Sequence, residues 1–199
     1  VKKIVVGMDG RISSPAIRDG MIAALVDSAA VRRVQAQRAA RDAELMARRA
    51  RINEGQLLGP RIIASLLIDG EGPNTAQMAT VARNAAEGIA AVRHAHEAGY
   101  FGVKLYGTLD PALVAPIAAE AHRLSLHVQG HIPHGMRPLE AVRAGYNEIT
   151  HINFVMMQAM PDEVVQNSNG LPRFYGTARY APDVNLRSPE MRSYLDELA

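Results

Sequence analysis

The chain has 199 residues, 48% of them apolar but only 5% aromatic, so one large domain or two small ones can bury a core, and that core must be aliphatic. A net charge of +2 is too small an excess to argue for nucleic acid, and with no cysteine there are no disulfides or thiolate metal sites. No apolar run approaches the ~18 residues a membrane span needs and no signal peptide is visible, which favours a soluble, non-membrane protein and leaves its compartment unknown.

The first element in chain order is the β-branched run KKIVVGM (2–8), closed by Asp9-Gly10. From about Pro15 to Asn53 the spacing predicts a helix with seven arginines between Arg32 and Arg51, stopped by Gly55 and Gly59-Pro60. Those arginines are interleaved with Asp42, Glu44 and Glu54, which fits a solvated outer helix better than a nucleic-acid face. RIIASLLID (61–69) reads as a second strand, and Thr75 to Glu97 as a second long helix closed by Gly99. GYFGVKLYG holds a third strand. Asp110-Pro111 starts the next helix, with Asp as N-cap and Pro in the first turn, and that helix runs to about Leu124. LSLHVQG (124–130) is a fourth strand, Pro138–Ala144 a short helix, and YNEITHINF (146–154) a fifth strand. The segment 155–187 reads as a long irregular rim loop and 188–199 as a final helix.

Strand–helix alternation repeated about five times implies an α/β fold with a parallel sheet. The short regular units after Phe101 suit a (β/α)₈ TIM-barrel type, although an open doubly wound sheet fits too. A full barrel needs ~250 residues, so this chain reads as an incomplete barrel, an excerpt of a longer protein forming one partial domain over 1–199.

Three residues take the same place in successive units: Lys104 near the end of the third strand, His131 after the fourth and His151 ending the fifth, at separations of 27 and 20 residues. In a parallel barrel such strand ends share one rim, the rim that carries active sites. An ammonium has no lone pair for a metal. A deprotonated lysine amine that adds carbon dioxide becomes a carbamate, an anion with two oxygens able to bridge two cations, which together activate water and polarise a carbonyl. The plainer readings are a Lys104 that snorkels to water or pairs with Asp110 or Glu148, and a His131 bonded to backbone. His127 has the parity of a second residue behind the site. Tyr106 and His134 face the same mouth as substrate-binding candidates, as does Arg179 in LPRFYGTARYAPD, with Arg173 in the same loop. His94, His96 and His122 fall on helices and face solvent. Met156, Met157 and Met160 read as packing.

The run GVKLYG…LSLHVQGH…GYNEITHINF resembles the amidohydrolase superfamily of metal-dependent hydrolases, in its imidazolonepropionase-like and Xaa-Pro dipeptidase-like branch. The resemblance covers most of residues 1–160. It implies that Lys104, often carboxylated in that family, bridges metal ions and that His131 and His151 bind one of them. The expected cofactor is a divalent metal, zinc first, as one or two ions. The expected reaction is hydrolysis of an amide or peptide-like bond, or of a lactone or ester, in a small-molecule or short-peptide substrate. The family's His-x-His after the first strand and its aspartate after the eighth have no counterpart here. The rival expectation is a non-catalytic βα scaffold that self-associates as a homo-oligomer or completes its sheet with a partner.

Overall fold

The structure, a computed structural model, describes residues 28–198, and of residues 28–35 and 38 the backbone alone. The expected strand at 2–8 and the start of the arginine-rich helix lie outside the described residues. The chain divides into two compact units at Ile62/Ile63.

The first unit contains helix α1 (Ser28–Asn53), built mainly of alanine, arginine and other strong helix formers. None of its described side chains is buried, and Arg48 pairs with Glu44 one turn earlier at 2.8 Å. Gly55 ends it in the left-handed conformation, φ 72°, while the Gln56 and Leu57 amides close onto the Arg51 carbonyl.

The second unit is α/β. Among the described residues, strands β1 (Ser65–Asp69), β2 (Thr80–Val81), β3 (Gly102–Leu105), β4 (His127–Gly130) and β5 (Glu148–Ile149) form a five-stranded sheet in the order β2-β1-β3-β4-β5. Every pairing is parallel. Helices α2 (Ala85–Glu97), α3 (Val114–Arg123) and α4 (Pro138–Arg143) follow β2, β3 and β4. The helix expected from Thr75 starts only at Ala85. Asn84 accepts the Glu87 amide as N-cap, and the residues before it form a turn and the two-residue β2 instead. Asp110 caps as expected, accepting the Ala112 amide at 2.9 Å ahead of a 3₁₀ turn (Pro111–Leu113) and α3.

Strand alternation sorts the core. Leu66, Ile68, Val103, Leu105 and Val128 are buried on the face covered by α2 and α3, which present Ala91, Val92, Ala95, Val114, Ile117 and Ala121. Each large aliphatic side chain buried here contributes about 1.5–3 kcal/mol. The other face stays half-exposed at Ser65, Leu67, Lys104, His127 and Gln129. The register sets Leu67, Lys104, Gln129 and Glu148 side by side across four strands.

The fifth strand is far shorter than expected, and residues 155–187 are not irregular. After β5 the chain forms α5 (Ile152–Met156), a 3₁₀ turn (Met157–Ala159), α6 (Asp162–Gln166), α7 (Pro172–Tyr180), a second 3₁₀ turn (Ala181–Asp183) and α8 (Pro189–Leu198). Phe154, Met157 and Met160 are buried there. The Arg137 guanidinium donates to the carbonyls of Met157, Gln158 and Met160 and to Asp162, meeting groups that a short helical end leaves unpaired. Among the described residues no helix is long and apolar enough to cross a membrane.

Candidate functional site

The carboxyl ends of β3, β4 and β5 bring three side chains to one place. Lys104 is the penultimate residue of β3, on the half-exposed face and itself half-buried. His131 follows β4 directly and is 1% exposed. Its position depends on Gly130, where a Cβ would lie 2.0 Å from the Leu105 carbonyl oxygen, so only glycine lets β4 run this close to β3. The His131 amide then donates to that same carbonyl at 3.0 Å. His151 lies two residues beyond β5 as the N-cap of α5, with φ 72° and ψ 122°, a conformation that L-residues with side chains rarely adopt.

The imidazoles meet edge to edge, with Nε2 of His131 and Nε2 of His151 3.1 Å apart. Tyr106 stacks on His131 at 3.9 Å between centroids, and Phe154 packs at 5.1 Å. Arg173, in the first turn of α7, lies 2.9 Å through Nη1 from His131 Nδ1, with its guanidinium 5.8 Å from the Tyr106 ring and 4.5 Å from that of Phe174.

These contacts fix a proton order. A guanidinium only donates, so His131 Nδ1 accepts from Arg173. The neutral His131 ring therefore carries its proton on Nε2 and donates it to His151 Nε2. Burial, then the charges of Arg173 and Lys104 and the His151 ring, push the His131 pKa down to about 2. His151 is lowered by burial and by Lys104 and Arg173. Burial and Arg173 also lower Lys104, while the Glu148 carboxylate pulls it back up. Lys104 makes no ion pair with a carboxylate among the described residues. Glu148 lies 3.5 Å from His127 instead, and Asp110 serves as a helix cap. The site thus gathers neutral imidazole donors and an amine whose proton is held less firmly than usual.

The other expected residues divide. Tyr106 lies against His131. The His134 ring and amide are both taken up by the Gly107 carbonyl, at 2.9 and 3.1 Å. Arg179 is exposed and stacks near Tyr180 at 5.6 Å. Arg173, six residues earlier and so roughly 120° round the same helix, is the arginine that reaches the histidines. Its helix has no apolar stripe to announce its phase. His94, His96 and His122 are exposed on helices.

Two further residues support the site from behind. Tyr146 is buried and its phenol donates to the His131 carbonyl at 2.7 Å. Asp69, fully buried at the end of β1, accepts the amides of Gly70 (2.9 Å), Ala76 (2.7 Å) and Thr108 (2.9 Å), tying the loop after β1 to the loop after β3. Burial raises its carboxyl above the ordinary range against the pull of those amides. Beside His151, Thr150 Oγ1 and Asn153 Nδ2 are buried with no hydrogen-bond partner. No group of three or more His, Cys, Asp or Glu side chains that could hold a metal ion occurs among the described residues.

No family model matches the chain, and no curated protein matches it. Among solved structures it is similar to a bottromycin amidohydrolase, at 22% identity and a TM-score of 0.46 over 50% of this chain and 22% of that one. It is similar to an uncharacterized protein at 17% identity and 0.47, over 76% of this chain and 45% of the other. It is also similar to an amidohydrolase at 17% identity and 0.44, over 77% and 46%. The chain spans less than half the length of each of these structures.

Proposed function

We propose that this chain carries part of the site of a metal-dependent hydrolase of amidohydrolase type, on a (β/α)₈ scaffold, acting on an amide or peptide-like bond or on a lactone or ester. The observation that carries the reading is the convergence of two neutral imidazoles, Nε2 to Nε2 at 3.1 Å, beside a lysine with a lowered pKa. Two nitrogen ligands on one tetrahedral zinc, with bonds of about 2.0 Å, lie roughly 3.3 Å apart, so the spacing fits a shared divalent ion. His131 and His151 would hold the ion, and Lys104 would join them as a carbamate. In that reaction the neutral amine nitrogen bonds to the carbon of carbon dioxide and releases a proton, leaving an anionic carboxylate on nitrogen. A bound divalent ion, zinc being the expected one, supplies Lewis acidity and a water nucleophile at neutral pH. Tyr106 holds the His131 ring plane by stacking, and Tyr146 holds its backbone.

Zinc content by elemental analysis of the unmutated chain, Lys104→Ala and His151→Ala tests this. The expected result is bound zinc in the first and clear loss in both variants, whereas equal retention in all three contradicts the reading. The scaffold alternative draws on the half-exposed sheet face with Leu67 and on Ile152, which is 75% exposed. A chain that self-associates in size-exclusion chromatography and binds no zinc favours it.

A further inference from the structure

We infer that Arg173 is a tethered competitor for the metal: its hydrogen bond to His131 and occupation of the site by a divalent cation exclude each other, so α7 must release the imidazole before an ion can bind. This rests on the metal reading above.

The argument is one of lone pairs. Arg173 Nη1 donates to His131 Nδ1 at 2.9 Å and uses the lone pair on that nitrogen. If the ion takes Nδ1, the guanidinium stands in its place. If the ion takes Nε2, the ring proton moves to Nδ1, and an N–H then faces an N–H. A ligating histidine normally donates its second nitrogen to a carboxylate, carbonyl or water, and a guanidinium offers none of these. Either nitrogen therefore gives the same exclusion. The positive charge of Arg173 adds repulsion toward an incoming cation.

The surroundings of Arg173 suit a group that leaves. It has no carboxylate partner among the described residues, only a neutral ring and the faces of Tyr106 and Phe174. It stands in the first turn of its helix, where the macrodipole disfavours a cation, so helix stability does not explain it. Only Thr177 of α7 is buried, while Leu171 just before the helix is 48% exposed, Phe174 46% and Tyr175 70%. A helix with so few buried contacts opens at low cost.

The test is competitive zinc titration against a chromophoric chelator with the unmutated chain, Arg173→Ala and Arg173→Met. Both variants are expected to bind zinc more tightly, by roughly tenfold, within the usual range of coupling between two ligands of one protein. Equal affinity in all three overturns the latch and leaves the metal reading standing. No zinc binding in any of them overturns both. In case the variants fold poorly, ¹⁵N NMR of the histidine rings in the metal-free unmutated chain gives an independent answer. The expected His131 tautomer is protonated at Nε2 and converts or loses its signature on adding zinc. An Nδ1-protonated ring in the metal-free chain overturns the inference.

Discussion

The Tyr146 hydroxyl reaches back fifteen residues to donate to the carbonyl of His131 at 2.7 Å. It thereby ties the first residue after β4 to the chain just before β5. Tyr146→Phe keeps the buried ring and leaves that carbonyl short of a donor. The expected cost is about 1–2 kcal/mol, read as a lower urea midpoint at unchanged slope. A Phe variant as stable as the parent would mean that the bond has no net worth.

Asp69→Asn leaves an oxygen for the Gly70 and Thr108 amides but turns an NH₂ toward the Ala76 amide. Two donors then face each other in a buried place. We expect a loss of about 1–3 kcal/mol in thermal or urea unfolding. The loop between Gly70 and Ala76 should gain hydrogen exchange first.

The protein should weaken on the acid side through His131. Its folded pKa is depressed, so the unfolded chain binds the proton first. Stability is intact above the unfolded value near 6.5 and declines as pH falls from there toward about 2. The slope from this one buried group is at most about 1.4 kcal/mol per pH unit. Urea midpoints at several pH values, compared with His131→Gln, should show a flatter acid limb in the variant.

Glu120 clips α2 to α3. It accepts Arg93 Nε and Arg123 Nε, each at 2.7 Å, and the two arginines hold its carboxyl down to about 2. Its contribution is present above the unfolded carboxyl value near 4.5 and is lost as pH falls through about 2. Glu120→Gln should lower the melting temperature at neutral pH and leave it nearly unchanged at pH 2. An equal deficit at both pH values would assign the effect to packing.

The places of Lys104 and His131 on the sheet are legible in the sequence. Lys104 and His131 stand at the ends of apolar runs whose alternation marks a strand, and glycine and proline mark the turns that follow. His151 was readable as a strand end but not as a break in the backbone, because nothing in EITHINF signals a positive φ the way glycine would. The short β2 went unseen since two residues carry no periodicity, and Asn84 was absorbed into a longer apparent helix. Arg173 and Arg179 looked alike in sequence because α7 buries only Thr177, so no hydrophobic stripe revealed which of them faces inward.

The backbone of His151 is held where an ordinary side chain costs roughly 1–3 kcal/mol. A library randomised at this codon and selected for heat resistance alone should drift toward glycine. Selected for zinc retention, the same library should return histidine. On the metal reading proposed above, durability and ligand capture pull in opposite directions at position 151.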